Sequence, residues 1–87
     1  MNQLQLLKAN LGITTDKRDA YLQFVLDSTQ EELTKGKGIK FNTSEADSFL
    51  IDYTAWQFRN RGEGVMPRFL EYRMRNLMIK TYGDENA

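Results

Sequence analysis

The stretch that decides the fold is Thr43–Thr81, TSEADSFLIDYTAWQFRNRGEGVMPRFLEYRMRNLMIKT. It predicts two helices joined by Arg61-Gly62-Glu63-Gly64-Val65-Met66. Gly62 suits the end of the first, because glycine adopts the left-handed conformation at C′ without a Cβ penalty. Pro67 suits the first turn of the second, where a missing N–H costs no intrahelical bond. At about 100° per residue, Trp56, Phe49, Asn60, Tyr53, Gln57 and Leu50 share one side of the first helix, and Ile51, Ala55 and Phe58 fall on the other. The second helix repeats the pattern. Met66, Leu77, Leu70, Thr81, Met74 and Met78 form one stripe, and Tyr72 and Ile79, flanked by Arg68 and Arg75, form another.

A chain of 87 residues has little material with which to enclose two double-faced helices. Either the remaining helices cover the second faces, or surplus apolar surface marks a contact with a partner or another copy. Trp56, Phe49, Tyr53, Leu70, Met74 and Leu77 are the expected core.

Composition narrows the function. Twelve basic and twelve acidic residues cancel, so the chain as a whole has no electrostatic pull toward nucleic acid or anionic membrane. Cysteine and histidine are absent, which removes thiolate chemistry, the commonest metal ligand and the commonest general base. No apolar run is long enough to cross a bilayer. Met-Asn-Gln-Leu-Gln-Leu-Leu lacks the basic region and apolar block of a signal peptide, so a cytoplasmic protein is expected.

The preceding half supplies two more helices. Leu4, Leu7 and Leu11 make one narrow stripe over residues 2–11, ended by Gly12. Thr15 or Asp16 offers an N-cap for a second helix over residues 16–35. Tyr21, Leu22, Val25, Leu26, Thr29 and Leu33 form its core face; Asp16, Asp19, Gln23, Asp27, Gln30 and Glu31 form an acidic outer face. Gly36 is its expected C′ residue, and Thr34–Asn42 reads as a mobile, lysine-bearing loop. Ser44 with Asp47 resembles a capping box at the start of the third helix. Residues 83–87 read as a polar tail that stops the last helix. The expected architecture is a single all-α domain over 1–87: a short first helix, a long second helix and a C-terminal helical pair.

Little here points to catalysis. Glu45, Asp47 and Asp52 are the nearest acidic group, but the dipole at a helix start explains the first two, and Asp52 reads as a solvated helix residue. No calcium-loop pattern or zinc ligand set is present, and the Gly36–Gly38 region lacks phosphate-loop spacing. We expect no enzyme activity, metal or cofactor. Arg59, Arg61, Arg68, Arg73, Arg75 and Lys80 outnumber Glu63 and Glu71, and Phe58, Phe69 and Tyr72 are interleaved. That mixture suits a protein-contact surface, a solvated surface or a nucleic-acid surface. One further arrangement is a head-to-tail contact in which the acidic face of the second helix, with Asp27 and Glu31, meets a neighbour's basic flank.

Taken together, these residues resemble the small head–tail connector proteins of long-tailed phages and prophages, also called adaptor or DNA-packaging proteins. The resemblance rests on L-x-x-L-x-x-x-L-G-I from Leu4 to Ile13 and the acidic start at Asp16 and Asp19. It continues through the long helix, a variable loop, Arg-Asn-Arg-Gly-Glu-Gly from Arg59 to Gly64, and the proline-led last helix. It spans about residues 4–82. It implies an all-helical virion protein that forms a dodecameric ring beneath the portal, extends the DNA channel without reading sequence, and offers a stopper or tail-completion protein a docking surface. It also implies assembly in the host cytoplasm, no catalysis and no membrane contact. On the resemblance, Arg68, Tyr72, Arg75 and Ile79 are candidate portal contacts. Asp27, Glu31, Ile51 and Phe58 are candidate subunit contacts, and Lys35, Lys37 and Lys40 face the channel or the next ring.

The rival class is a small helical DNA-binding regulator. The Gly62–Pro67 turn invites comparison with a helix-turn-helix, but that motif has a tighter turn. A recognition helix opening Met66-Pro67-Arg68-Phe69-Leu70 is also too apolar to read base edges. An unassigned helical interaction module is a third reading.

Overall fold

A computed structural model describes the backbone of residues 2–61 and 63–86, with side chains through Lys80. It contains α1 (Gln3–Leu11), α2 (Asp19–Lys37), α3 (Ser44–Asn60) and α4 (Arg68–Asn86), and no strand among the described residues. The fold is therefore the expected all-α bundle. α3 is its axis, packing against each of the other three helices.

Local chemistry explains most of the helix ends. Asn2 caps α1 in a full capping box: its side chain accepts from the Gln5 N–H, and the Gln5 side chain accepts from the Asn2 N–H. Gly12 closes α1 at φ 74°, and the Ile13 N–H returns to the Lys8 carbonyl at 2.9 Å. Thr43, rather than Ser44, caps α3, accepting from the Ala46 N–H at 3.1 Å. Asp47 is not part of a capping box; its carboxylate accepts instead from Gln3 of α1 at 3.3 Å.

Several boundaries differ from the sequence reading. α2 begins at Asp19, not Asp16, and no side chain caps it, because Asp16 and Asp19 both turn to Lys8 of α1, at 3.1 and 2.8 Å. It runs two residues past Lys35. Gly36 is helical, and Gly38, at φ 70°, is the C-cap. The following loop is anchored, since Ile39 is fully buried and its N–H reaches the Leu33 carbonyl at 3.3 Å. Arg61 ends α3 in the left-handed region at φ 52°; Gly62, the predicted stop, lies outside the described residues. Pro67 sits one position before α4, its carbonyl accepting from the Leu70 and Glu71 N–H groups. α4 does not stop at Gly83 but continues to Asn86.

The core is drawn from all four helices and the α2–α3 loop: Leu7, Leu22, Leu26, Leu33, Ile39, Phe49, Leu50, Ile51, Leu70, Met74 and Leu77. Tyr53 and Trp56 are only partly buried, packing at its margin, so the six-residue core expected from sequence holds for four members. Tyr21 leaves the predicted core face of α2 and is 58% exposed. Across α3, Glu45, Phe49 and Asp52 turn toward α4, while Gln57 and Phe58 turn toward α2. At about 100° per residue Gln57 lies roughly 80–140° around α3 from the α4-facing group, so α2 and α4 pack on different flanks of α3. The molecule measures 44 × 27 × 18 Å.

Candidate interaction surfaces

Most of the basic cluster is committed inside the chain. Arg73 donates to Asp52 at 2.6 Å and to Ser48 at 3.3 Å, and its guanidinium lies 5.6 Å from the Phe49 ring centroid. Asp52 also accepts from Asn10 at 3.2 Å. It is a partly exposed junction of α1, α3 and α4. Lys80 pairs with Glu45 at 2.6 Å, Arg75 with Glu71 at 2.8 Å, and Arg59 donates to the Asn10 carbonyl. These ties account for four of the six cations read from sequence, leaving Arg61 and Arg68 without a described partner. A phosphate-binding stripe does not follow from that placement.

Three surfaces remain open. The first is the outer stripe of α4. Arg68, Tyr72, Arg75 and Ile79 repeat at i, i+4, i+7 and i+11 and point away from the Leu70–Met74–Leu77 face buried on α3. Tyr72 is 68% and Ile79 69% exposed, and Phe69 beside them is also exposed. The structure thus brings the four predicted portal-contact residues onto one face.

The second surface is the outer face of α2. Asp27 and Glu31 are exposed there, as expected. Asp27 accepts from Gln23, and Glu31 pairs with Lys35, which holds the Glu31 carboxyl below its ordinary range. Phe24, absent from the predicted site, stands exposed between them and the helix start. Its 100° position beside Glu31, away from Leu22 and Leu26, was the available signal.

The third is an open groove of about 870 Å³ where the α1–α2 connection meets the end of α3. Leu11, Ile13, Val25 and Phe58 contribute apolar surface, Arg18, Arg59 and Arg61 contribute charge, and no carboxylate lines it. Phe58 therefore has accessible surface. Ile51 does not: it is 5% exposed inside the domain, because the α3 face it occupies is covered by α1, and its candidacy as a subunit contact is withdrawn.

The predicted lysine loop is also rearranged. Lys35 and Lys37 belong to the last turns of α2, where cations complement the helix dipole, and Lys40 alone lies in the loop. Among the described residues no three acidic side chains gather as metal ligands, and no helix is long and apolar enough to cross a membrane.

A family model for phage gp6-like head-tail connector proteins matches residues 1–83. The chain belongs to that family. The match takes in α1–α3 and α4 as far as residue 83, so the family resemblance extends through the bundle and is not confined to one motif. Comparison with curated proteins and with solved structures returns no match. Membership establishes a phage structural role at the junction of head and tail and supports a place in the virion.

Proposed function

We propose that this connector assembles as a ring, dodecameric in the virion, beneath the portal. The ring extends the DNA channel and presents a surface to a stopper or tail-completion protein. The role is structural; the chain carries out no reaction and binds DNA without reading sequence. Assembly takes place in the host cytoplasm before the ring enters the virion.

The observation that carries this reading is the α4 stripe. A bundle that buries thirteen apolar side chains among the described residues leaves Tyr72, Ile79 and Phe69 in solvent beside Arg68 and Arg75. Aromatic and aliphatic side chains flanked by arginine form the composition of protein-contact hot spots. Paired cations elsewhere, together with zero net charge, suit a channel wall that lets DNA slide.

Light scattering on the purified protein across a wide concentration range tests the proposal. A large discrete species, or capture of the monomer by the phage's own portal ring, is the expected result. A chain that stays monomeric at every concentration and ignores the portal ring rules the ring out.

A further inference from the structure

We infer that the α4 stripe of one copy docks on the acidic outer face of α2 in the next copy. This assignment rests on the ring reading and specifies its subunit contact, leaving the portal to other surfaces.

Three observations support it. First, the two faces lie on different flanks of the molecule, because α2 and α4 pack on separate sides of α3 and both stripes point away from it. Complementary patches on different flanks produce a head-to-tail contact that can close into a ring. Second, the faces match in chemistry. One offers Arg68, Arg75, Tyr72 and Ile79; the other offers Asp27, Glu31 and Phe24. The within-helix pairs Glu31–Lys35 and Arg75–Glu71 are exposed, and such pairs hold their charges too weakly to prevent exchange.

Third, the heights agree. Arg73 is level with Asp52, and Thr29 with Gln57. Gln57 lies about 7.5 Å further along α3 than Asp52. α4 runs antiparallel to α3, since Lys80 meets Glu45, so the same step back along α4 reaches Arg68. Arg68 therefore stands at the height of Thr29, between Asp27 and Glu31 one turn apart. A rotation about an axis along the helices preserves these heights and sets Arg68 against both carboxylates of the next copy. It also brings Phe24 level with the α3–α4 loop, where Val65 is 92% exposed.

The absence of cysteine makes the contact easy to trap. Full-length protein carrying both Glu31→Cys and Arg68→Cys is concentrated and treated with a short bismaleimide. The two positions lie on different flanks of α3, and the mixture of single variants distinguishes a link between chains from one within a chain. A ladder of linked oligomers is expected from the double variant, dimers from a mixture of the two single variants, and monomers from either single variant alone. In a second arm, Arg68→Glu weakens self-association about tenfold at low salt, and adding Asp27→Lys and Glu31→Lys in the same chain restores it. No ladder, or dimers from Arg68→Cys alone, overturns the inference. The ring reading is judged separately by the mass of the unmodified protein. A large discrete species without a ladder keeps the ring and places its contact elsewhere. A ladder combined with failed charge restoration removes the ion-pair register and overturns the inference as stated.

Discussion

α3 and α4 look alike in the sequence, and the fold treats them oppositely. Each carries apolar residues on two sides. In α3 both sides are covered: Phe49 and Leu50 are fully buried, and Ile51 and Ala55, on the second side, are 5% and 1% exposed. In α4 one side is covered, by Leu70, Met74 and Leu77, while Tyr72 and Ile79 remain more than two-thirds exposed. The difference is position. α3 packs against all three other helices, whereas α4 packs chiefly on α3. A second apolar face thus means centrality for one helix and exposed apolar surface for the other.

The largest effect separates the two helices directly. Phe49→Ala removes a fully buried ring that also carries the Arg73 guanidinium, and is expected to cost about 3–5 kcal/mol. In so small a domain that approaches the whole stability. Tyr72→Ala, on the exposed face of α4, is expected to change stability by less than about 0.5 kcal/mol. Urea unfolding monitored by circular dichroism checks both. A large loss from Tyr72→Ala would show that α4's outer face packs within the monomer and would erase the contrast.

Trp56 tests the boundary between the faces. Its ring is partly exposed and lies 6.1 Å from that of Tyr53, at a tilt of 41°. Trp56→Ala is expected to cost about 1–3 kcal/mol, below the value for a fully buried aromatic. A loss matching that of Phe49→Ala would place Trp56 in the core after all.

The sequence made the helix count, the main buried stripes of α1 and α2 and the outer stripe of α4 legible, because each depends on a period of about 3.6 residues. What it concealed depends on contacts between helices. Asp16 and Asp19 look like capping groups until Lys8 is brought beside them by the packing of α1. Asp52 looks solvated until α1 and α4 converge on it. Ile51 looks available until α1 covers it. The end of α2 has its own sequence signal: Gly38-Ile39 repeats the Gly12-Ile13 pair that closes α1, in both cases a left-handed glycine followed by an apolar anchor. The connector resemblance survived these misreadings, since it rests on the order of elements rather than on their boundaries.

A smaller change probes how α4 is fastened. Asp52→Ala removes the acceptor shared by Arg73 and Asn10. The pair is partly exposed, with Arg73 at 27% and Asp52 at 36%, so solvent screens it, and a loss of about 1 kcal/mol is expected. Hydrogen exchange should quicken in α4 more than in α2. Equal quickening in both would mean that Asp52 supports the bundle as a whole.

The smallest effect concerns the α2–α3 side and is read by pH. Burial, and then the Glu32 carboxylate, push the Tyr53 phenol above its ordinary 10.0. The unfolded chain therefore loses that proton at lower pH than the folded protein does. The stabilisation linked to Tyr53 is complete below about pH 10 and declines as pH rises through the folded value. Lys8, held above 10.5 chiefly by Asp19, and Lys35, held above it by Glu31, contribute losses of the same sign. The total alkaline slope thus cannot isolate Tyr53, but a difference can. Tyr53→Phe keeps the ring stacked 5.5 Å from Phe49 and gives up only the hydroxyl, which accepts from Gln57 at 3.2 Å. The variant should lose stability less steeply than the parent as pH rises above about 10, while the contributions of Lys8 and Lys35 persist in both. Parallel curves would mean that the phenol is no better shielded in the folded protein than in the unfolded chain. The α3 flank facing away from α1 would then be as open to solvent as the outer face of α4.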